Sequence, residues 1–161
     1  MIKLIIDTVN FDEVSQMGIV ILKEEKGNKI IPIWVGLFEA QAIIFKMRNL
    51  YFPRPLTHDL LKNTLELFEA KVEYILISDI KENTYYAEIH IIKDDKKLVL
   101  DSRPSDAIAL SVRVNAPIYV DEKVLDICGV DKEEFLKQQE ELYYKQYLEN
   151  LDEEDKGKLK H

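Results

Sequence analysis

The apolar positions change period several times along the chain. Residues 2–10 alternate loosely, the two-residue repeat of a strand. Apolar runs at 18–22 and 29–35 flank Glu25-Lys26-Gly27-Asn28, a hairpin pattern in which Gly27-Asn28 can take positive φ. Pro32 has no N–H for a ladder, which points to an edge or a bulge in the second run. From 38 to 50 the period becomes helical, with Ala40, Ile43, Ile44, Met47 and Leu50 on one face. Pro53 and Pro55 break that helix. A second helix is predicted over 57–69, with Thr57 as cap, Asp59 in its first turn, and Leu60, Leu61, Thr64, Leu65 and Phe68 along one side. Strands follow at 71–80, 84–93 and 96–101, separated by polar turns at 81–83 and 93–95. Pro104-Ser105-Asp106 opens a helix to residue 114 that is apolar nearly all round and therefore buried. A short strand at 117–120 and a short helix at 122–127, stopped at Gly129, end the pattern.

These elements predict an α+β domain over 1–130: a mixed or antiparallel sheet built from hairpins, covered by the helices at 38–50, 57–69 and 105–114. Trp34, Ile43, Leu61, Ile89 and Leu110 are the expected core. From Asp131 the composition turns to Glu, Lys, Gln and Tyr, giving an acidic helical tail over 131–161. Leu136, Tyr143, Tyr147 and Leu151 would form its thin apolar stripe, and the chain is expected to fray beyond about residue 151. A faint echo also runs through the domain. Sliding by 67 residues lays Lys29 on Lys96, Glu39 on Asp106, Ala40 on Ala107 and Ala42 on Ala109. A duplicated β-β-α unit and chance convergence both fit that echo.

Charge narrows the chemistry. The 161 residues carry 30 acids and 22 bases, a formal −8, so the overall field repels polyanions and any phosphate site must be local. With one cysteine, Cys128, neither an internal disulfide nor a Cys-rich zinc site can form. No apolar run approaches membrane-spanning length, and the first residues do not form a signal-peptide core, so a cytoplasmic protein without membrane contact is expected. The high apolar content and an edge such as 29–35 predict a homodimer.

Two helix starts share a layout. Arg54-Pro55-Leu56-Thr57-His58-Asp59 and Arg103-Pro104-Ser105-Asp106 each run arginine, proline, hydroxyl, acid. Helix N–H groups beside a guanidinium can cradle phosphate, which makes Arg54, Arg103 and Ser105 candidate phosphate ligands. Ordinary capping, with the arginines paired to the acids, explains the same layout. His58 beside Asp59 can act as a general base or a metal ligand, or can be surface decoration. His90 alternates within a strand and His161 is terminal, so neither is favoured. Glu39, Asp101 and Asp106 stand at strand ends and helix starts, where carboxylates can hold a hard cation such as Mg²⁺ or serve as caps and salt bridges. Ser105 lacks a nucleophile elbow, and neither a P-loop nor a Gly-rich dinucleotide loop occurs. Trp34 in its apolar run is expected in the core, not as a base-stacking platform.

Three segments together carry a resemblance. Ile31-Pro32-Ile33-Trp34-Val35-Gly36 with Glu39-Ala40, Arg54-Pro55 with Thr57-His58-Asp59-Leu60-Leu61, and Asp101-Ser102-Arg103-Pro104-Ser105-Asp106-Ala107-Ile108-Ala109-Leu110 resemble the bifunctional nuclease family, in order, over roughly 1–130. The resemblance implies a compact α+β domain that degrades both DNA and RNA. Phe68-Glu69-Ala70 departs from it, since relatives often end the second helix with glycine, and the tail lies outside it. The nuclease expectation places Glu39, His58, Asp101 and Asp106 in catalysis and Arg54, Arg103 and Ser105 on phosphate. A divalent cation would sit on Glu39, Asp101 and Asp106, and the cluster is expected in one cleft. The competing expectation is a non-catalytic module, in which the two arginine-bearing helix starts bind a small anion or the chain acts as an oligomeric scaffold.

Overall fold

In the computed structural model the backbone is described for residues 1–158 and the side chains for 1–150. The chain divides into two units, Met1–Gly129 and one beginning at Val130. The first contains β1 (Ile2–Asp12), β2 (Met17–Glu24), β3 (Lys29–Gly36), α1 (Leu37–Met47), α2 (Thr57–Leu67), β4 (Lys71–Lys81), β5 (Thr84–Lys93), β6 (Lys96–Ser102), α3 (Pro104–Val114), β7 (Ile118–Val120) and α4 (Glu122–Cys128). The second contains a two-residue strand, β8 (Val130–Asp131), and a long helix, α5 (Lys132–Lys158). Asp131 caps α5 by accepting from the N–H groups of Glu133 and Glu134. The expected fraying beyond about 151 falls on residues whose side chains lie outside the described set.

The α+β expectation holds. Within the first unit the sheet runs β6-β5-β4-β7-β1-β2-β3, antiparallel except where β4 meets β7. The elements keep the 67-residue offset. β2 and β5 begin at 17 and 84, β3 and β6 at 29 and 96, and α1 and α3 both span eleven residues from 37 and 104. The two β-β-β-α sets flank β7 in opposite order.

Parity explains which residues are buried. Along β3, Ile31, Ile33 and Val35 point to the helices and are buried, while Trp34 points the other way, opposite Ile19 on β2. Trp34 is 62% exposed, which corrects the expectation that it belongs to the core. Ile43, Ile89 and Leu110 are buried as expected, whereas Leu61 is only partly so. Eight of the eleven residues of α3 are buried, including Ala107, Ile108, Ala109 and Leu110, so this helix is the centre of the helical layer. Gly18 lets α1 approach β2, since a Cβ there would come within 2.5 Å of the Ala40 Cβ.

The turns use side chains other than those the sequence favoured. Gly27 and Asn28 do not take positive φ; Gly27 is small because a Cβ would meet the Glu24 carboxylate, which accepts from the Lys29 N–H. Positive φ falls instead on Glu82-Asn83 and Asp94-Asp95, in the two polar turns of the β4-β5-β6 meander. Among the described residues no helix is long and apolar enough to cross a membrane.

Candidate functional site

Three helices begin at one place. α1 starts directly after β3 and α3 almost directly after β6, so the hairpin geometry delivers both starts to the same end of the sheet. α2 packs on α3, and its first turn joins them. The starts of α1, α2 and α3 line a cleft of about 550 Å³ with Phe38, Glu39, Thr57, His58, Arg103 and Asp106 on its walls. Each start carries the positive end of a helix dipole, although the Leu37 N–H at the start of α1 donates to the Gln16 carbonyl and Pro104 at the start of α3 has no N–H. The chain therefore sets three helix starts around one guanidinium and the two carboxylates it pairs with, an arrangement that the net charge does not resolve.

Arg103 is the hub. Its Nε donates to Asp106 Oδ2 at 2.7 Å and its Nη2 to Asp106 Oδ1 at 3.1 Å, a bidentate pair. Its Nη1 donates to Glu39 Oε1 at 3.1 Å. Gly36 leaves the room this needs, because a Cβ there would collide with Glu39 Oε2. Asp106 Oδ1 also meets His58 Nε2 at 3.0 Å. Burial pushes the Asp106 carboxyl up, but hydrogen bonds from Arg103 and His58 outweigh it and hold the group below the usual carboxylate range. Hydrogen bonding to Asp106, reinforced by its charge, raises the already high Arg103 value. Because an ionised carboxylate has no proton to give, the His58–Asp106 bond carries its proton on Nε2, and Nδ1 is left to accept when the ring is neutral. A guanidinium has five N–H donors, of which three are engaged here. Its side chain is 65% exposed, and the other two donors make no hydrogen bond among the described residues.

Four candidates thus come together: Glu39, His58, Arg103 and Asp106. The others lie elsewhere. Asp101 is opposite Glu88 on β5, on the sheet face away from the helices, and lines none of the clefts at this site. Arg54 is exposed in the α1–α2 connection and makes no hydrogen bond or ion pair among the described residues. Ser105 is 6% exposed at the start of α3 and lines only the smaller adjoining cleft, beside Glu39 and Arg103. The helix caps also differ from expectation. Leu56 and Arg103 occupy the cap positions of α2 and α3, in place of Thr57 and Ser105, and neither makes a side-chain cap. The two-arginine layout therefore yields one arginine in the cleft. Among the described residues no group of three or more His, Cys, Asp or Glu is placed to hold a metal ion.

Sequence reasoning missed Arg113 and the aromatics. Arg113, whose side chain is 2% exposed, donates from Nε to Asp59 Oδ1 at 2.7 Å, from Nη1 to the Ala109 carbonyl at 2.7 Å and from Nη2 to the Ala42 carbonyl at 3.0 Å. It ties the first turn of α2 to α1 and α3, and so positions His58 beside Asp106. Asp59 also accepts from the Leu56 N–H. Its burial raises the carboxyl, and these hydrogen bonds lower it further, to a net value below normal. Phe38 is 75% exposed on the cleft wall. Trp34 lines a second cleft of about 340 Å³ that shares Glu39 and Arg103 with the first. Neither signal was readable from period alone, because an exposed aromatic and a buried one look the same in an apolar run.

Comparison with known proteins agrees with the three motifs. The bifunctional nuclease domain matches residues 20–133. An uncharacterized protein of Mycobacterium tuberculosis is 34% identical over 122 residues, covering 76% of this chain and 73% of its own length. Bifunctional nuclease 1 of Oryza sativa subsp. indica is 26% identical over 116 residues, and bifunctional nuclease 2 of Arabidopsis thaliana 27% over 115. The matched segments span 70% and 69% of this chain but only 35% of each plant protein. With its motifs in order and most of its length matched, the chain belongs to the bifunctional nuclease domain family.

Proposed function

We propose that the chain is a nuclease that hydrolyses phosphodiester bonds of DNA and RNA at the cleft where α1, α2 and α3 begin. The observation that carries this reading is the convergence of three helix starts on one cleft lined by Arg103, which keeps two of its five donors unengaged. A phosphodiester held there accepts from the guanidinium and lies in the field of the helix dipoles. His58 Nδ1 takes a proton from water as its oxygen attacks phosphorus. The ester P–O bond breaks, and the departing oxygen takes up a proton from the imidazolium or from solvent. Asp106 orients the ring and stabilises its charged form, while Glu39 fixes the guanidinium from the other side. Phe38 and Trp34 flank Arg103 in adjoining clefts and offer stacking surfaces to neighbouring bases. Phosphate contact plus stacking reads neither sequence nor sugar, which suits a substrate range covering both nucleic acids.

A resident cation does not fit the donors as arranged. Glu39 and Asp106 are both engaged by Arg103, and Asp101 is on the other face of the sheet, so no step above is routed through a metal. The small-anion reading keeps only one of its two arginines, since Arg54 is outside the cleft.

The test is cleavage of labelled DNA and RNA oligonucleotides by highly purified protein, with and without EDTA. Arg103→Ala and His58→Gln should each lower the rate by about 10²-fold or more, with melting temperatures close to wild type. Asp101→Ala should retain cleavage. Unchanged cleavage per folded molecule in Arg103→Ala would overturn the assignment. Abolition by EDTA together with loss in Asp101→Ala would replace it with a metal mechanism.

A further inference from the structure

On the face of the sheet away from the helices, two cross-strand rows stand beside Trp34. Asn10 pairs with Ile19 and Ile19 with Trp34; nearer the β1–β2 turn, Asp12 pairs with Met17 and Met17 with Gly36. Residues opposite one another share a face, so both rows lie on the side that Trp34 takes. Asn10, Met17, Ile19 and Trp34 line a hollow of about 350 Å³ there. Trp34 is 62% exposed and Met17 43%, and contiguous exposed apolar surface marks an interaction site. Asn10 is exposed, and its amide makes no hydrogen bond among the described residues. Asp12 is the acid of the hollow, but its carboxylate accepts from the Val14 and Ser15 N–H groups of the turn. No lysine or arginine lines the hollow, so it has nothing to hold a phosphate. An indole, a thioether and a neutral amide suit a flat, uncharged group with a polar edge. Trp34 also lines the cleft that holds Glu39 and Arg103, so the two spaces meet at its ring. Gly36, two residues further along β3, adds no side chain to that face and leaves the way from Trp34 to Arg103 open.

We propose that this hollow is a base subsite: the substrate strand leaves Arg103 over Gly36, and the nucleotide beside the scissile phosphate lays its unpaired base on Trp34, with Asn10 at the base edge. The proposal rests on the reading of the Arg103 cleft as the place of cleavage. Stacking on the indole needs a free base face, which a base inside a duplex does not offer, so the substrate here is single-stranded. Size and edge then select the base. Trp34 and Asn10 stand on strands two apart, about 10 Å across the sheet. A purine on the indole reaches over Ile19 to the amide, and a pyrimidine stops short of it. Adenine offers a donor and an acceptor side by side, N6–H₂ and N7, which the amide oxygen and NH₂ meet together. Guanine offers two acceptors there, and the amide oxygen is left without a partner. Asn10 thus confers a preference for adenine at one position beside the cut and leaves the rest of the substrate unread. Neither contact touches the sugar, so DNA and RNA are served alike.

The test compares three end-labelled DNA probes on the full chain: oligothymidylate, the same strand carrying one central adenine, and a blunt duplex of that length. Affinity is read by fluorescence anisotropy with His58→Gln, and cut positions are mapped with wild type. Trp34 is the only tryptophan in the sequence, so its fluorescence reports the contact directly. Both single strands should quench it and the duplex should not. The adenine should tighten binding about fivefold or more and draw cleavage to the phosphate beside it. Trp34→Ala should weaken both single strands about tenfold. Asn10→Ala should erase the gain from adenine, spread the cuts evenly, and leave oligothymidylate within about twofold of its original affinity. Single-strand binding without quenching would overturn the proposal. So would equal quenching by the duplex, or an Asn10→Ala variant that weakens both strands alike at unchanged melting temperature. Failure of the underlying reading looks different. Quenching and the adenine gain without any cleavage, or with cleavage indifferent to Arg103→Ala, would uphold the subsite and remove the nuclease assignment. Cleavage abolished by Arg103→Ala, with affinity untouched by Trp34→Ala, would uphold the cleft and remove the subsite.

Discussion

Replacing Arg113 by methionine separates what its stem contributes from what its guanidinium contributes. The stem is packed among α1, α2 and α3, and methionine fills much of that volume. The lost terms are the charged bond to Asp59 and the two donations to the carbonyls of Ala109 and Ala42. Both carbonyls belong to helices that already supply one intrahelical partner, so their loss is small. Asp59 is about a third exposed and recovers part of its solvation from water. The charged bond then dominates, at about 1.5–3 kcal/mol, and the total for Arg113→Met should be about 2–3 kcal/mol. Arg113→Ala also removes the stem and leaves a cavity, and should reach about 4 kcal/mol. For a domain of this size the methionine variant should melt roughly 8–12 °C lower. Urea denaturation followed by far-UV circular dichroism measures the difference directly. The same variant should slow cleavage although Arg103 is untouched, because His58 precedes Asp59 on the loosened turn of α2. If Arg113→Met stays within about 0.5 kcal/mol of wild type, the guanidinium does not hold the three helices together and this account of how His58 is placed is wrong.

Three further outcomes can be checked on the same protein. Asp59 and Asp106 are both held below the ordinary carboxylate value of 3.8, so their stabilisation is complete above that value and is lost as pH falls through the lower folded values; urea midpoints should be flat from neutrality to about pH 5 and drop below pH 4, and less steeply in Asp59→Asn. Glu69 follows the end of α2 with φ of 55°, a left-handed conformation that costs free energy for a residue with a Cβ and none for glycine, so Glu69→Gly should stabilise by about 0.5–1 kcal/mol in thermal melts. Gly18→Ala drives a methyl into Ala40 where α1 crosses β2, and should cost about 1–3 kcal/mol by urea denaturation.

Much of the fold was legible because its elements repeat at a clear period. The strands predicted at 71–80, 84–93 and 96–101 appear as Lys71–Lys81, Thr84–Lys93 and Lys96–Ser102, and α3 begins one residue earlier than its apolar run suggested. Glycine was a poor guide to the turns. At Glu82-Asn83 and Asp94-Asp95 acidic and amide side chains adopt the left-handed region, while Gly27 is selected by the Glu24 carboxylate beside it. Strand order was not legible either. A three-residue strand at Ile118–Val120 joins the two meanders by pairing with β4 on one side and β1 on the other, and nothing in so short a segment announces two partners.

At the site, spacing identified the right corner but not which side chains turn into it. Asp101, Arg103 and Asp106 lie within six positions, yet β6 ends between the first and the second. Asp101 still obeys the strand's alternation and takes the face away from the helices, while Arg103 and Asp106 obey the helix and turn inward. Trp34 and Phe38 straddle the same kind of boundary at the end of β3. Trp34 is sent outward by strand parity and Phe38 by the first turn of α1, so both stay exposed beside Arg103. Charge at the cleft is likewise local and is not given by the chain's total. The field at the cleft combines three backbone termini and one guanidinium with the Glu39 and Asp106 carboxylates, and a sum over charged residues leaves the termini out. It follows that raising the salt concentration should weaken binding at this cleft far less than at a basic groove. Helix dipoles act within a turn, inside the screening length, and only one mobile cation, Arg103, is displaced onto the phosphate. The dependence of oligonucleotide affinity on salt, followed through Trp34 fluorescence, should have a slope near −1. A slope of several units would mean that substrate is held by lysines spread over the surface, and that the convergence of α1, α2 and α3 is not where it binds.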